Sequence, residues 1–290
     1  MEGTRSWHAR YGPGITPDPD FEKITMPEVL TRTAGRFPDR AALMFMGKKI
    51  TYRELESLVN RFAGALAGIG VRPGDRVALL LPNMPQFVIA AYAALRVGAV
   101  AVPCNPLAPE EELAGQLNDS DSAVLVTLDL LFPRAVDLKA RTGIRSIILC
   151  HITDYLPFPG NRLLPYLQRA LYRKIAPEPG IHEFLPFLQS HPDTPVENKA
   201  RWDEAGAIIC TEGTTGTAKR VLLTHANMAA GTQQLRVWFS ALQDGAESIG
   251  AIFPFFHTAG WTGAQNLAIC AGWTNVLVPH PDVPAVIEIL

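Results

Sequence analysis

The decapeptide TEGTTGTAKR, Thr211 to Arg220, sits between the apolar run AGAIIC and the segment VLLTHANM. Its glycines let successive backbone N–H groups turn toward one anion, its threonine hydroxyls add donors, and Lys219 follows as a cation within reach. The chemistry open to such a loop is phosphate binding. The same residue types also make ordinary polar turns. Spacing excludes two phosphate motifs: Gly213, Gly216 and Lys219 lack the four-residue gap and adjacent Gly-Lys of a Walker loop, and no G-x-G-x-x-G is present. Glu212 stands inside the loop, where a carboxylate repels an anion unless it points away or meets a cation.

A loop of this kind needs rigid elements around it, and the chain supplies them by alternation. After a proline- and glycine-rich arm to about Asp20, MPEVLTRTAGRFPDRAAL reads as a short amphipathic helix with Val29, Leu30 and Phe37 on one face. ALMFMGKKITY reads as a hairpin turning at Gly47-Lys48. Thr51 and Glu54 form a capping box that opens a helix burying Leu55, Leu58, Val59, Phe62 and Leu66. Strands at Val77–Leu81, Val100–Pro103, Ala123–Leu128 and Ser146–Cys150 then alternate with helices from Pro85 and from Pro109 to Asn118. Short unbroken strands between helices indicate an α/β fold, with mostly parallel sheets covered on both faces.

From Asp154 to Lys199 that rhythm stops. Prolines and aromatics crowd the segment, with a basic amphipathic piece at Leu163 to Lys174. It reads either as a membrane-facing or acyl-delivery surface or as an elaborate crossover packed on its own domain. The resulting division is 1–20 arm, 21–153 first α/β region, 154–200 crossover and 201–290 start of a second α/β subdomain.

Composition bounds the function classes. The 290 residues carry 26 Lys and Arg against 28 Asp and Glu, a net charge of −2, so nothing draws the chain as a whole to nucleic acid or acidic membranes. The four cysteines, Cys104, Cys150, Cys210 and Cys270, lie far apart without metal-ligand or redox-motif spacing and read as small buried thiols. The N-terminus lacks the apolar core of a signal peptide. The most apolar stretch, Phe87 to Val102, is broken by Arg96 and Gly98 and is too short to span a bilayer. The reading is a cytoplasmic protein with at most peripheral membrane contact.

TEGTTGTAKRVLLTHAN resembles the phosphate-binding signature of the adenylate-forming (AMP-binding) enzymes, matching at Thr211, Gly213, Thr214, Thr215, Gly216, Lys219, Thr224 and His225. The resemblance runs from about residue 25 to the end. It includes TYRELE, GVRPGDRVALLLPNMPQFVIAAYAALRVGAVAVPCNP and FPFFHTAGWTGAQNLAICAGWTNVLVP. ITDYLPFPGN and PFFHTAGWT resemble bacterial long-chain fatty-acid–CoA ligases most. The resemblance implies ATP, Mg²⁺ and coenzyme A as cofactors and a fatty acid as substrate. A carboxylate attacks the α-phosphate of ATP to give an acyl adenylate, and the coenzyme A thiol then displaces AMP. It also implies that Thr211, Gly213, Thr214, Thr215, Gly216 and Lys219 hold phosphate, that His257 lies near the reacting carboxyl, and that Trp261 gates an acyl tunnel. Without the resemblance, His257 reads as a core histidine at a strand end. No residue is implied as a metal ligand.

Three positions depart from the pattern: Glu212 replaces a small residue, Ala218 a proline and Arg220 a glycine. The family's adenine, ribose and catalytic-lysine motifs are not matched in these residues, so the resemblance is to the front half of such an enzyme, inactive alone. The alternatives are a non-catalytic remnant and an adenylating enzyme of another substrate branch. On this reading Ile252, Phe253 and Val276–Val278 sit near an unfinished sheet edge. They invite self-association or a complementing C-terminal chain, unless Val283 to Leu290 caps that edge.

Overall fold

The computed structural model describes residues 5–167, 173, 175, 178–211 and 219–280. The N-terminal arm forms a 3₁₀ turn at Ser6–Arg10 and lays Tyr11 against Trp238, ring centroids 5.1 Å apart. Thr25 and Glu28 close a capping box at the start of α1 (Met26–Arg36). β1 (Ala41–Phe45) and β2 (Lys48–Thr51) form the hairpin, but the turn falls on Met46-Gly47, one residue earlier than Gly47-Lys48. Both positions take positive φ, 47° and 85°, the two-residue geometry that matches the twist of paired strands.

Thr51 caps α2 (Tyr52–Gly68) as expected, with Glu54 N donating to its hydroxyl at 3.2 Å. The alternation follows: β3 (Arg76–Leu80), α3 (Pro85–Arg96), β4 (Val100–Pro103), α4 (Glu110–Asp119), β5 (Ser122–Leu128), α5 (Phe132–Arg141) and β6 (Ser146–Cys150). The crossover contains α6 (Gly160–Leu167), a three-residue strand β7 (Ile181–Glu183) and α7 (Phe184–Gln189). β7 pairs with β6 at the edge of the sheet, and Phe184 stacks on Phe62 of α2 at 4.9 Å. This part of the crossover is packed on its own domain. Its basic piece lies largely outside the described residues.

The remaining elements are β8 (Ala205–Thr211), β9 (Lys219–Thr224), α8 (His225–Trp238), β10 (Ser248–Ala251), α9 (Thr258–Gly260), a π-helix at Trp261–Asn266, α10 (Leu267–Ala271) and β11 (Thr274–Leu277). They divide between two sheets. One runs β7-β6-β5-β3-β4-β8-β9, parallel except for the antiparallel edge strand β9; the other runs β10-β11-β1-β2. Strands from residues 41–51 and 248–277 thus share a sheet, while β8 joins the strands of residues 76–183. β11 lies between β10 and β1, so Val276 and Leu277 occupy an inner strand, and Val278 just beyond them is buried. That corrects the expectation of a sheet edge at Val276–Val278: the edge is β10, and Phe253 beyond it is 57% exposed. The segment Val283 to Leu290 lies outside the described residues.

α2 packs on β1 and β2, α3 on β3 and β4, and the two helices on each other, so a helical layer separates the sheets. α4 and α5 cover the other face of the seven-stranded sheet. α3 is apolar all round because it is buried all round. Its one charge, Arg96, donates to Asn60 Oδ1 (2.6 Å), Thr31 Oγ1 (3.1 Å) and Glu56 Oε2 (2.8 Å), tying α3 to α1 and α2. No described helix is long and apolar enough to cross a membrane. Cys104 and Cys150 are buried as expected, and Cys210 and Cys270 are half-buried. Arg96→Met strands Glu56 and Asn60 without their cation and should cost about 3 kcal/mol, read as a lower urea midpoint at unchanged slope.

Candidate active site

β8 and β9 are the two arms of the glycine-threonine loop. Thr211 ends β8, exposed, its hydroxyl 3.3 Å from Lys219 O. Lys219 begins β9, exposed, and makes no ion pair with a described residue. Gly213, Thr214, Thr215 and Gly216, with Glu212 and Ala218, lie outside the described residues. Strand alternation sorts the rest. Thr211 pairs with Lys219 and Cys210 with Arg220, so the two pairs point to opposite faces of the sheet. Arg220 turns onto α4 and meets Asp119 at 2.8 Å. Lys219 lies on the other face, shared with Leu223 two turns of the pleat along.

That face leads to an apolar groove of about 740 Å³. Leu223 of β9, Met228 and Leu235 of α8, Ile249 of β10, Phe253 and Thr262 line it. A second cleft, about 390 Å³, opens at the carboxyl ends of β3, β4 and β5, walled by Asn83, Pro106, Leu128, Phe256 and Val278. His257 is the exposed N-cap residue of α9. Phe256 before it lines the cleft and Thr258 after it lines the groove, so His257 stands where the two cavities approach each other. Trp261 is fully buried behind the groove, edge-on to Phe87 at 6.1 Å, and is not part of the lining.

Asn83 holds this turn in place. At the end of β3, its amide nitrogen donates to Ala251 O (2.8 Å) and Phe253 O (2.9 Å), and its oxygen accepts from Phe255 N (2.8 Å). Reasoning from sequence passed over this residue, although Pro82-Asn83 at a strand end is a turn signal. It also missed the π-helix, whose wide turn leaves Trp261 Nε1, both polar atoms of Gln265 and Asn266 Nδ2 buried without a partner.

Behind the loop, Thr224 caps α8 and accepts from Asn227 N, burying His225 in the first turn. Burial lowers His225 from 6.5 to about 4, opposed by Glu28. Beyond the cleft, His151 Nδ1 lies 2.9 Å from Asp129. Burial pulls His151 down, but the Asp129 hydrogen bond and charge outweigh it and raise it. Burial also pushes Asp154 up to about 6, against its hydrogen bonds from His151 N and Gln86. Among the described residues no group of three or more His, Cys, Asp or Glu side chains is arranged to hold a metal.

Residues 30–290 match the family model described as AMP-binding enzyme. The chain belongs to this family. A long-chain-fatty-acid–CoA ligase of Bacillus subtilis (strain 168) is 35% identical over 294 residues, covering 100% of this chain and 52% of that protein. An oxalate–CoA ligase of Arabidopsis thaliana is 29% identical over 254 residues, 87% of this chain and 45% of that protein. Among solved structures, a long-chain-fatty-acid-CoA ligase from Archaeoglobus fulgidus aligns with a TM-score of 0.79 at 24% identity, over 97% of this chain and 52% of that one. That likeness bears out the α/β fold. The chain spans about half the length of the curated relatives it matches.

Two outcomes follow from this geometry. Asn83→Ala leaves two carbonyls and one amide unpaired and should cost about 2–4 kcal/mol, with the Phe255 amide, protected in the parent, exchanging its hydrogen faster. His225 sets an acid response. Because its folded value lies below its unfolded one, the folded state binds fewer protons at this site between pH 6.5 and about 4, and the contribution of His225 to stability falls as pH drops through that window. From pH 7 to 5 the parent should lose about 2 kcal/mol more than His225→Gln, measured by urea unfolding at both pH values, because Asp154 and His151, whose raised values favour the folded state on acidification, act alike in both chains.

Proposed function

We propose that this chain supplies the phosphate loop and acyl groove of an ATP-dependent long-chain fatty-acid–CoA ligase. One observation carries the reading. Lys219 and Leu223 share one face of β9, so the loop's cation and the groove's wall belong to a single surface, with His257 between groove and cleft. A fatty acid bound there has its chain among Leu223, Met228, Leu235 and Ile249 and its carboxylate toward His257. ATP supplies the adenylyl group that this carboxylate takes up, and coenzyme A accepts the acyl group.

The parts present fit an anionic nucleotide. Lys219 is exposed at the mouth of the loop without a competing carboxylate among the described residues, and Thr211 beside it offers a hydroxyl. Their work is to hold phosphate oxygens as charge builds there, the kind of preorganised stabilisation that dominates such reactions. Arg220, bound to Asp119 on the opposite face, adds no bulk to that side. The groove's volume suits a long ligand. Among the described residues no cationic side chain lines it, which argues against a small dicarboxylate such as oxalate.

Gly231 on α8 lines the groove, and a Cβ there meets Thr262 at an ordinary 3.6 Å. Gly231→Phe should therefore fill the groove without breaking the helix. The purified chain is titrated with palmitate, oxalate and Mg-ATP by calorimetry. Palmitate should bind and oxalate should not. Gly231→Phe should weaken palmitate by about tenfold or more and leave ATP unchanged, while Lys219→Ala should weaken ATP alone. Absence of saturable palmitate binding, or parent-like binding by Gly231→Phe, would overturn the acyl assignment.

A further inference from the structure

Two cysteines that the proposed chemistry does not use are brought together, one just past the end of β4 and one on the neighbouring β8. Ala101 of β4 stands opposite Ala207 of β8 in parallel register. Carried three residues on, one past the end of β4, that register sets Cys104 opposite Cys210, and the two thiols are close enough to act on each other electrostatically. Adjacent strands lie about 4.8 Å apart, inside the span of about 4.4–6.8 Å between Cα atoms that a disulfide bridges. Side-chain parity agrees. Cys104 and Val102 belong to the core beneath α4, and Ile208, two residues before Cys210, packs on that same core. Gln116 of α4 lies by both positions: its amide donates to Pro103 O at 3.0 Å, and its nearness to Cys210 favours the charged form of that thiol. Cys150 and Cys270 sit on other elements, at the end of β6 and in α10.

We propose that Cys104 and Cys210 are a redox pair, joined by two-electron oxidation into a cross-strand disulfide that staples β4 to β8 just ahead of Thr211 and the loop. Cys210 is half-buried and meets the oxidant; Cys104 is buried and resolves the product. With hydrogen peroxide, the Cys210 sulfur attacks one peroxide oxygen, the O–O bond breaks, and the thiol becomes a sulfenic acid as the first water leaves. The Cys104 sulfur then attacks the Cys210 sulfur, the S–O bond breaks, the S–S bond forms, and the second water leaves. Two thiols have given up two electrons and two protons, and the peroxide has become two waters.

The surroundings set the speed. Facing Cys210 are Arg220 across the ladder on β9, Glu112 and Asp119 on α4, and Cys104 just past the end of β4. Burial raises the Cys210 thiol above its ordinary 9.0 despite Arg220, and burial raises Cys104 further. Thiolate is scarce at neutral pH, so the pair answers sustained rather than brief exposure, and its oxidation should quicken about tenfold per pH unit between 7 and 9. On the reading of the loop as a nucleotide grip, the staple fixes the strand that carries Thr211 into it.

The folded chain is treated with hydrogen peroxide at pH 8.5, its remaining thiols are alkylated, and the digest is read by mass spectrometry. A peptide pair joined through Cys104 and Cys210 should appear, lighter by two hydrogens and split by dithiothreitol. Free thiols should fall from the four of the sequence to two. Cys150→Ala and Cys270→Ala should keep the link, and Cys210→Ala, at the half-buried position, should lose it while remaining folded by circular dichroism. Sulfinic or sulfonic acids without the link, or unchanged thiols, would overturn the proposal. So would an equal yield from the urea-unfolded chain, because adjacency in the fold would then play no part. Reduced chain that fails to bind ATP would count against the functional reading alone, since the peptide link is read without nucleotide.

Discussion

One buried amide joins the two sheets at the site. Asn83 spends both its donors and its acceptor on the backbone that leaves β10, at Ala251, Phe253 and Phe255. A carboxamide is the side chain that can donate to carbonyls and accept from an amide from a single point, so an apolar or charged residue of the same size cannot replace it. The path of Phe253 to Gly260 is fixed by that clamp and by one further constraint. A Cβ on Gly260 would overlap the carbonyls of Pro254 and Phe253, so the turn closes on itself only with glycine there. His257 owes its place between groove and cleft to these two conditions.

Behind the turn, the helical layer makes the clamp rigid. Phe87 of α3 packs against both Phe255 and Trp261, and Tyr92 reaches Asn266 at 3.0 Å, so α3 supports the turn and the π-helix from below. A π-turn inserts one residue beyond the usual repeat and is a costly conformation for a run this short. Here it also leaves the Gln265 amide and Trp261 Nε1 buried without partners, at about 1–3 kcal/mol for each such group. A protein retains such orphans where another requirement outweighs them. The groove wall at Thr262 to Ala264 lies on this helix, so the unusual turn and the shape of the groove go together.

Much of this fold was legible because apolar runs and caps are local signals. Thr51 and Glu54, the helix from Pro85 and the strands from Arg76 to Cys150 all declare themselves within ten residues of sequence. Strand order does not, since an apolar run says that a strand is buried but not which strand lies beside it. β8 joins β4 across more than a hundred residues, and β11 fits between β10 and β1, where a sheet edge was expected. β7 is three residues long, too short for any period to register. The π-helix escapes for a related reason, because its spacing matches neither the helical nor the strand repeat. The loop and His257 were found by resemblance, whereas Asn83, which positions that turn, carries no chemistry of its own that would single it out.

Arg220 shows how a departure from a family pattern is judged by the face on which the side chain lies. In sequence it is a bulky cation in place of glycine, next to Lys219. On an edge hairpin, neighbouring residues point to opposite sides of the sheet, and a single residue step therefore separates two environments. Lys219 faces the side of the groove; Arg220 faces α4, where Asp119 takes its charge and where a Cβ on Gly115 would lie 3.7 Å from its guanidinium. β9 has one neighbouring strand, so a larger residue on its outer face displaces no second strand. The substitution and its partner on α4 thus form a local unit on the face opposite Lys219. Arg220 thereby belongs to the packing of α4 against β8 and β9.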